Sequence, residues 1–250
     1  MTPMVTIDNL HKTWKEGLTV FNGLDLSFGR GQITAILGPS GCGKTSLLRL
    51  IAGLSQPSSG TVAVDAKPGE IGMVFQEYTA FPWLTAAGNV RFALSAKCRG
   101  RMEIREAVDA WLEMVELLPF RDYYPAQLSG GMKQRLALAR TLAAEPRLLL
   151  LDEPFGALDV VTRKRMTLPT VRLLRKIGLT VIMVTHSVRE ALLSSERMVV
   201  LSDSPCKVDL DYSIPPDMIG NPRFGSTVEG RDVRWKIGRA LRPGTRMQAW

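Results

Sequence analysis

The sequence predicts an α/β fold built on a parallel sheet, and three observations lead to this prediction. A candidate strand, Ile33–Leu37, runs directly into a glycine-rich octet that is followed by a helical pattern. Two further apolar runs, residues 148–151 and 180–185, are of the kind that is buried on both faces of a parallel sheet. Segments with helical periodicity separate these strands. A chain of 250 residues is long enough for one sizeable domain of this class.

The glycine-rich octet carries a strong chemical signal. It matches the pattern G-x-x-x-x-G-K-T and consists of Gly38, Pro39, Ser40, Gly41, Cys42, Gly43, Lys44 and Thr45. A loop at the start of a helix directs free backbone N–H groups inward, and the helix dipole adds partial positive charge. The Lys44 ammonium suits β- and γ-phosphates, and the Thr45 hydroxyl suits Mg²⁺. An ordinary strand-to-helix turn is the alternative, but a complete octet between a strand and a helix favours phosphate binding.

Composition and cysteine content narrow the class of protein. The apolar fraction of 45% is ordinary for a globular protein, and no apolar run approaches the roughly 18 residues that span a bilayer. The N-terminus has no signal-peptide pattern, so we expect a soluble, cytoplasmic protein. Cys42, Cys98 and Cys206 show no disulfide or metal spacing, which suits a reducing compartment.

The net charge of +8 is concentrated toward the C-terminus, in the basic residues from Arg223 onward. A basic tail serves an anionic lipid, a protein partner or solubility, and the sequence leaves these alternatives open. We therefore divide the chain into a principal domain, residues 1–203, and a basic tail of uncertain structure, residues 204–250.

The first part of the chain has the sequence pattern of antiparallel strands. Residues 5–7 and 24–28 alternate between apolar and polar side chains, as in strands with one solvated face. Trp14 lies between them. Its ring either stacks on a purine or packs against the edge of the sheet, and the local sequence supports both alternatives equally.

A further short strand is expected at residues 71–75, and it ends at Gln76. Polar side chains at the C-terminal ends of strands lie where open α/β sheets bind ligands. The amide of Gln76 can therefore hold Mg²⁺ or the attacking water.

Strand patterns are absent between residues 81 and 144. Apolar residues recur here at intervals of three and four, and they are Ile104, Val108, Trp111, Leu112, Val115 and Leu118. Pro119 is expected to end this helix. We predict a helical insertion over about residues 81–144.

A second candidate anion site lies inside this insertion. Ser129 is a natural helix N-cap, and Gly130 and Gly131 leave bare N–H groups at the helix start. A capped helix start without a ligand is the alternative.

Two adjacent carboxylates follow the strand at residues 148–151. The carboxylates of Asp152 and Glu153 would repel each other unless one of them faces a cation. This favours Asp152 as a ligand of Mg²⁺. Glu153 is then free to act as a base toward water. A pair of solvated acids is the alternative, which the four preceding leucines disfavour. His186 ends a later strand, where it either hydrogen-bonds a γ-phosphate or is a polar strand terminus.

In this order, the motifs resemble those of the ATP-binding subunit of ATP-binding cassette (ABC) transporters over nearly the whole chain. The correspondences are residues 38–45 with the Walker A loop, Gln76 with the Q-loop, residues 128–132 with the LSGGQ signature, residues 148–153 with Walker B and its catalytic glutamate, residues 157–159 with the D-loop, and His186 with the switch histidine. Many NTPases share the phosphate loop, whereas the signature between the Q-loop and Walker B is specific to this family.

The resemblance implies a P-loop NTPase (RecA-like) core with an antiparallel β subdomain and an inserted α-helical subdomain. It implies ATP and Mg²⁺ as cofactors, and catalytic roles for Glu153, His186 and Gln76. The implied metal ligands are Thr45, Gln76 and Asp152. The implied nucleotide contacts are Trp14, residues 38–45, Ser46, Ser129, Gly130, Gly131 and Asp159.

The resemblance also implies partners. Two ATP-binding subunits pair head to tail, so that each ATP lies between the phosphate loop of one subunit and the Ser129 helix start of the other. The helical insertion, with residues 81–84, contacts an integral membrane permease, and a periplasmic or extracellular solute-binding protein takes part indirectly. The expected location is peripheral, on the cytoplasmic face of the bacterial inner membrane, and no nucleic acid is expected.

Two departures from the family pattern leave the chemistry intact. Met132 replaces the signature glutamine, but the Ser129 and glycine donors remain. Thr45 and Ser46 invert the usual order, which leaves a hydroxyl at both positions. Residues 75–77, 81–84, 88–90 and 129–135 are most similar to the nitrate/sulfonate/taurine branch of bacterial importers.

Two other functions remain as alternatives. A soluble cassette ATPase that acts on DNA or the ribosome usually has two cassettes or long coiled-coil insertions, whereas this chain has one cassette and no heptad run. A nucleotide-binding regulatory module without turnover is disfavoured by Glu153 and His186.

Overall fold

The computed structural model of the chain describes residues 3–14, 17–75, 80–95, 101–156, 160–221 and 223–241. The strands are β1 (Val5–Thr13), β2 (Thr19–Phe28), β3 (Ile33–Leu37), β4 (Ser59–Val64), β5 (Ile71–Val74), β6 (Leu148–Asp152), β7 (Thr180–Val184), β8 (Arg197–Leu201) and β9 (Val208–Ser213). The helices are α1 (Lys44–Ile51), α2 (Ala86–Ser95), α3 (Arg101–Met114), α4 (Gly130–Ala143), α5 (Val160–Lys176), α6 (Val188–Ser194) and α7 (Val228–Ala240).

Two sheets form the body of the protein. The larger sheet has the order β5-β6-β7-β3-β8-β9, and its pairs are parallel except for the antiparallel pair β8–β9. The smaller sheet has the order β2-β1-β4 and is antiparallel. The predicted α/β class, with its parallel sheet and antiparallel β subdomain, is confirmed.

Strand β6 shows why the larger sheet needs continuous apolar runs. Because successive side chains in a strand point to opposite faces, Leu148 and Leu150 pack toward β1, β2 and α1. Leu149 and Leu151 pack on the other face, toward α4, α5, α6 and α7. Each fully buried leucine contributes about 1.5–3 kcal/mol of transfer free energy. Both faces are therefore part of a core, and the strand has no solvated side.

A third core lies among α2, α3 and α4. Helix α4 belongs to two cores, because Leu136 and Ala139 face α2 and α3 whereas Leu138 and Leu142 face the larger sheet. The prediction that Pro119 ends the preceding helix is wrong. Helix α3 already ends at Met114, and the backbone then turns through Glu116, whose φ is 57°.

The segment after residue 203 contributes to the same body. Strand β9 extends the larger sheet, and Phe224, Val233 and Ile237 from the chain around α7 are buried against it. No element is predicted for this segment, because prolines lie on both sides of β9. Among the described residues, no helix is long and apolar enough to cross a membrane.

Candidate active site

The phosphate loop connects β3 to α1 and is shaped by its glycines. Gly43 has φ 107°, and a Cβ there would lie 2.2 Å from Val20 Cγ1. Gly41 also has a left-handed backbone, with φ 80°. A Cβ at Gly38 would lie 3.1 Å from the carbonyl oxygen of Leu201. Glycine is thus required both for the backbone conformation and for the close approach of β2 and β8.

Lys44 is the first residue of α1, and its ammonium turns back over the loop. Its Nζ donates to the carbonyl oxygens of Gly38 at 2.8 Å and Pro39 at 2.6 Å. The side chain is largely buried, so the positive charge is held within the loop where the N-terminus of α1 already attracts anions.

Cys42 lies below the loop rather than on its surface. It is buried, and its Sγ lies 3.9 Å from Lys44 Nζ. A hydrogen bond from the Cys206 thiol, together with the charge of Lys44, lowers the pKa of Cys42 from 9.0 to about 7, although burial opposes the change. The same contact and burial raise the pKa of Cys206. The structure thereby places two cysteines far apart in sequence against each other.

Asp152 ends β6 beside the phosphate loop. Its side chain is buried, and burial raises the pKa of Asp152 above the ordinary 3.8. The Thr45 hydroxyl, which hydrogen-bonds the carboxylate, opposes this change. Asp152 and Thr45, two of the three residues predicted to bind the metal, are therefore in contact. The third, Gln76, lies outside the described residues.

Glu153 follows Asp152 with a backbone conformation that is rare for this residue type. Its φ is 50°, in the left-handed region, which costs about 1–3 kcal/mol outside glycine. Its N–H donates to the carbonyl of Val184 at 3.0 Å, so the turn is fixed to β7. The Glu153 side chain reaches His186, with 3.4 Å between Oε2 and Nδ1. The ends of two neighbouring strands thus bring the predicted base and histidine together.

The second helix start is formed as the sequence predicts. Ser129 is the N-cap of α4, and its hydroxyl accepts a hydrogen bond from the N–H of Met132 at 3.3 Å. Gly130 and Gly131 form the first turn. In the part of the chain that the structure describes, no hydrogen bond joins Ser129 to the phosphate loop.

Trp14 lies at the end of β1, where 37% of its surface is exposed. Its ring stacks under Lys12, whose Nζ lies 4.5 Å from the ring centroid. The ring is therefore partly open, which leaves its role in purine stacking a prediction. Ser46 lies in the first turn of α1, half-buried, and Asp159 lies outside the described residues.

Sequence reasoning missed three buried polar residues near the site. Thr185 Oγ1 donates to Glu190 Oε2 at 2.7 Å and accepts from the N–H of Ser187 at 3.1 Å, which fixes the turn that carries His186. Gln134 Nε2 donates to the carbonyl of Glu153 at 2.9 Å. Polar residues within otherwise apolar segments were the only sequence signal for these positions. The sequence does not indicate their hydrogen-bond partners, because those partners depend on the fold.

Comparisons with known proteins agree with this geometry. The family profile described as ABC transporter matches residues 21–156. The taurine import ATP-binding protein of Pelagibacter ubique is 43% identical over 240 residues, which cover 88% of this chain and 91% of that protein. The nitrate import ATP-binding protein of a Synechocystis strain is 41% identical over 211 residues, which cover 81% of this chain and 79% of that protein.

Solved structures show the same fold. The ATP-binding cassette MJ0796, in a dimeric post-hydrolysis state bound to ADP and Pi, superposes with a TM-score of 0.77 at 34% identity, covering 85% of this chain and 99% of that one. The cbiO1 subunit of the Clostridium perfringens cbiONQ transporter complex has a TM-score of 0.76 at 27% identity, with 96% and 97% covered. The chain belongs to the ABC transporter family, as an ATP-binding subunit with ATPase activity.

Proposed function

We propose that this chain energises solute uptake as the ATP-hydrolysing subunit of a bacterial ABC importer, which acts through a partner permease. The observation that carries the proposal is the convergence of Glu153, His186 and the Asp152–Thr45 pair beside a complete phosphate loop. The relatives that carry the words import ATP-binding protein in their names match most of the chain, which supports uptake as the direction of transport.

The site fits Mg²⁺. The buried carboxylate of Asp152 has the Thr45 hydroxyl as its neighbour, and both are oxygen donors of the kind that this ion prefers. Thr45 and Asp152 would hold the ion, with Gln76 as the further proposed ligand. When bound, Mg²⁺ would neutralise negative charge on the β- and γ-phosphates.

The chain's own residues account for the remaining chemistry. Loop N–H groups and the Lys44 ammonium hold the triphosphate and stabilise charge that develops on it. Glu153 orients and deprotonates the attacking water, and His186 donates a hydrogen bond to the γ-phosphate. The 3.4 Å contact between their side chains lets each restrict the orientation of the other.

We propose that ATP is bound between two subunits in a head-to-tail dimer. The phosphate loop and the Ser129 helix start are separate anion sites, and in a head-to-tail pair the Ser129 helix start of one subunit adds donors to the triphosphate held by the loop of the other. The dimeric state of MJ0796 with ADP and Pi supports this arrangement. Closure brings both helix starts onto the γ-phosphate, and hydrolysis removes that bridge.

The proposed permease contact lies on the helical region. Phe81 stacks against Trp83, with 5.4 Å between ring centroids, and makes an edge contact with Phe92 at 4.9 Å. Trp83 and Phe92 are 69% and 58% exposed, and both contact Phe81, so the cluster presents apolar surface of the kind that marks interaction sites. Buried Asn89 fixes this segment, since its amide donates to the carbonyls of residues 81, 84 and 85. A rigid aromatic surface of this kind can transmit the motion of the dimer to a partner.

The partner and the location follow from the importer role. We propose that the protein is peripheral, on the cytoplasmic face of the bacterial inner membrane, and that a periplasmic or extracellular solute-binding protein delivers the solute to the permease. The taurine and nitrate relatives support the nitrate/sulfonate/taurine branch.

Glu153→Gln tests this function. The variant should bind ATP normally and lose about 10²- to 10⁴-fold in turnover, because it cannot accept a proton from water. Equilibrium nucleotide binding and phosphate release measure the two properties, and size-exclusion chromatography should show a dimer that persists with Mg-ATP. From membranes solubilised in mild detergent, the same variant should be recovered with an integral membrane permease.

Lys44→Ala is the matched control, because it should lose ATP affinity and with it the dimer. Wild-type turnover by Glu153→Gln would remove Glu153 from the mechanism. Recovery of the trapped variant with nucleic acid instead of a permease would contradict the importer role.

A further inference from the structure

Gln134 connects the two functional parts of this subunit. It lies in the second turn of α4, which begins at the Ser129 N-cap, and its side chain is 5% exposed. Its Nε2 donates to the carbonyl oxygen of Glu153 at 2.9 Å. A single side chain therefore spans from the helix that starts at the second anion site to the backbone of the general base.

The contacted carbonyl belongs to a turn that needs outside support. Glu153 has φ 50°, and its carbonyl also accepts from the N–H of Gly156 at 3.0 Å. Left-handed conformations of such residues persist only where the surroundings hold them. The N–H of Glu153 is held by β7, and Gln134 holds the carbonyl from the opposite element. The direction of the Glu153 side chain depends on both contacts.

Stability alone does not account for this glutamine. Its Oε1 is buried, and within the described part of the chain it has no hydrogen-bond partner. A buried polar atom without a partner is unfavourable, and such atoms in proteins call for a specific explanation. An apolar residue of similar size would avoid this unpaired atom in a helix that contributes to two apolar cores.

We propose that Gln134 is a positioning residue for ATP hydrolysis, which fixes the backbone of Glu153 and thereby ties the general base to the helix that contacts the partner subunit's nucleotide. This inference rests on the proposed function. Ser129 caps helix α4, so a nucleotide at the helix start biases the placement of Glu153 through one hydrogen bond. Each subunit would then hydrolyse its own ATP only when α4 is engaged by the other.

The test compares Gln134→Met, which keeps the length of the side chain and removes the donor, with Thr141→Val. Thr141 lies in the same helix, and its hydroxyl donates to the carbonyl of Ala137 at 2.8 Å without contacting Glu153. Gln134→Met should lower kcat by about 10- to 100-fold with little change in the KM for ATP, since a small misplacement of a catalytic group has this effect. Thr141→Val should retain wild-type kcat. Thermal denaturation should give both variants similar Tm values.

A double-mutant cycle separates positioning from general stabilisation. With radiolabelled ATP, the residual hydrolysis of Glu153→Gln should fall no further when Gln134→Met is added, because the residue that Gln134 positions has already lost its function. Equal losses in both backgrounds would indicate a structural role and overturn the inference.

Other outcomes are also decisive. Gln134→Leu also removes the donor and leaves no buried polar atom, so it should show the same kcat loss if Gln134→Met fails to fold. Failure of both to fold would likewise assign a structural role. Wild-type kcat in Gln134→Met would overturn this inference while the loss in Glu153→Gln still supports the proposed function. Wild-type kcat in Glu153→Gln would instead overturn the proposed function itself.

Discussion

At the scale of single residues, Cys42 shows how surroundings set reactivity. The Walker A pattern leaves this position open, and its backbone rather than its thiol serves the loop. In the fold, however, Cys42 meets the Cys206 thiol and the Lys44 ammonium, which together lower its pKa to about 7. Since the thiolate is the nucleophile, Cys42 is the more reactive member of the pair, and Cys206, whose pKa is raised, is the less reactive one.

We therefore expect iodoacetamide to alkylate Cys42 faster as the pH rises through about 7, with a plateau above that range. Mass spectrometry of a Cys98→Ala background would measure the rate without the third cysteine. Cys206→Ala should move the midpoint upward, toward the ordinary 9.0, because it removes the hydrogen bond to the thiolate. Because Cys42 is buried below the loop, alkylation requires the loop to shift, so Mg-ATP should protect Cys42 and the alkylated protein should not bind ATP. A midpoint unaffected by Cys206→Ala would contradict this account.

Much of the site could be predicted from single residues, because motif spacing along strand ends carries the information. Asp152, Glu153 and His186 follow apolar runs, and parallel strands bring such ends to one edge of a sheet. Gln134 and Glu190 could not be assigned in this way. Their contacts join residues on separate elements or across a turn, and nothing in the local pattern specifies the partner.

At the scale of elements, the phosphate loop depends on how tightly β2 packs beneath it. Val20 and Phe21 of β2 occupy the space where a Cβ at Gly43 would lie, at 2.2 Å and 3.1 Å. The loop conformation is thus set jointly by its own backbone and by a strand from the other sheet. This contact is absent from the motif, which describes only the octet.

Gly43→Ala should therefore cost more than backbone strain. We expect a loss of ATP affinity of at least about tenfold, which corresponds to about 1.4 kcal/mol, because the loop must shift away from β2. Gly178→Ala is the matched control, since Gly178 also has a left-handed backbone, with φ 65°, but faces open space. It should lose only about 1–2 kcal/mol of folding stability and keep ATP affinity. Calorimetric titration and urea denaturation measure both effects, and equal ATP affinities in the two variants would contradict the packing argument.

Element boundaries were less predictable than element types. The apolar period continues from Ile104 past the end of α3, because Val115 and Leu117 enter the same core after the helix has ended. The spacing of apolar residues indicates which side chains are buried, not where a helix ends. A residue with a left-handed backbone, such as Glu116, can end a helix while the following apolar side chains still enter the same core. The proline at position 119 instead lies in a short 3₁₀ turn.

At the scale of the whole molecule, the chain beyond residue 203 completes the body of the protein. Strand β9 covers the edge of the larger sheet at β8, and α7 lies over the same end. Phe224 is fully buried in the core that also receives Leu149 and Val181. The basic composition of this segment reflects its exposed side chains and therefore does not indicate that Phe224 is buried.

Phe224→Ala should consequently destabilise the ATPase body by about 3–5 kcal/mol, through lost burial and the cavity that remains. Trp235→Ala is the comparison within the same segment, because Trp235 is 59% exposed and should change stability by at most about 0.5 kcal/mol. Urea denaturation monitored by circular dichroism gives both values. Similar free energies of unfolding for the two variants would mean that the C-terminal segment is not anchored as described.

Strand β6 carries one further consequence. Its leucines alternate between two cores, and the next residue is the buried carboxylate of Asp152. Deleting one residue from this strand would move leucines from one core to the other and, in the same movement, turn the carboxylate of Asp152 away from Thr45. Leucines would still reach both cores, but the carboxylate that we propose as a metal ligand would be lost, so the register of β6 sets the alignment that the proposed site requires.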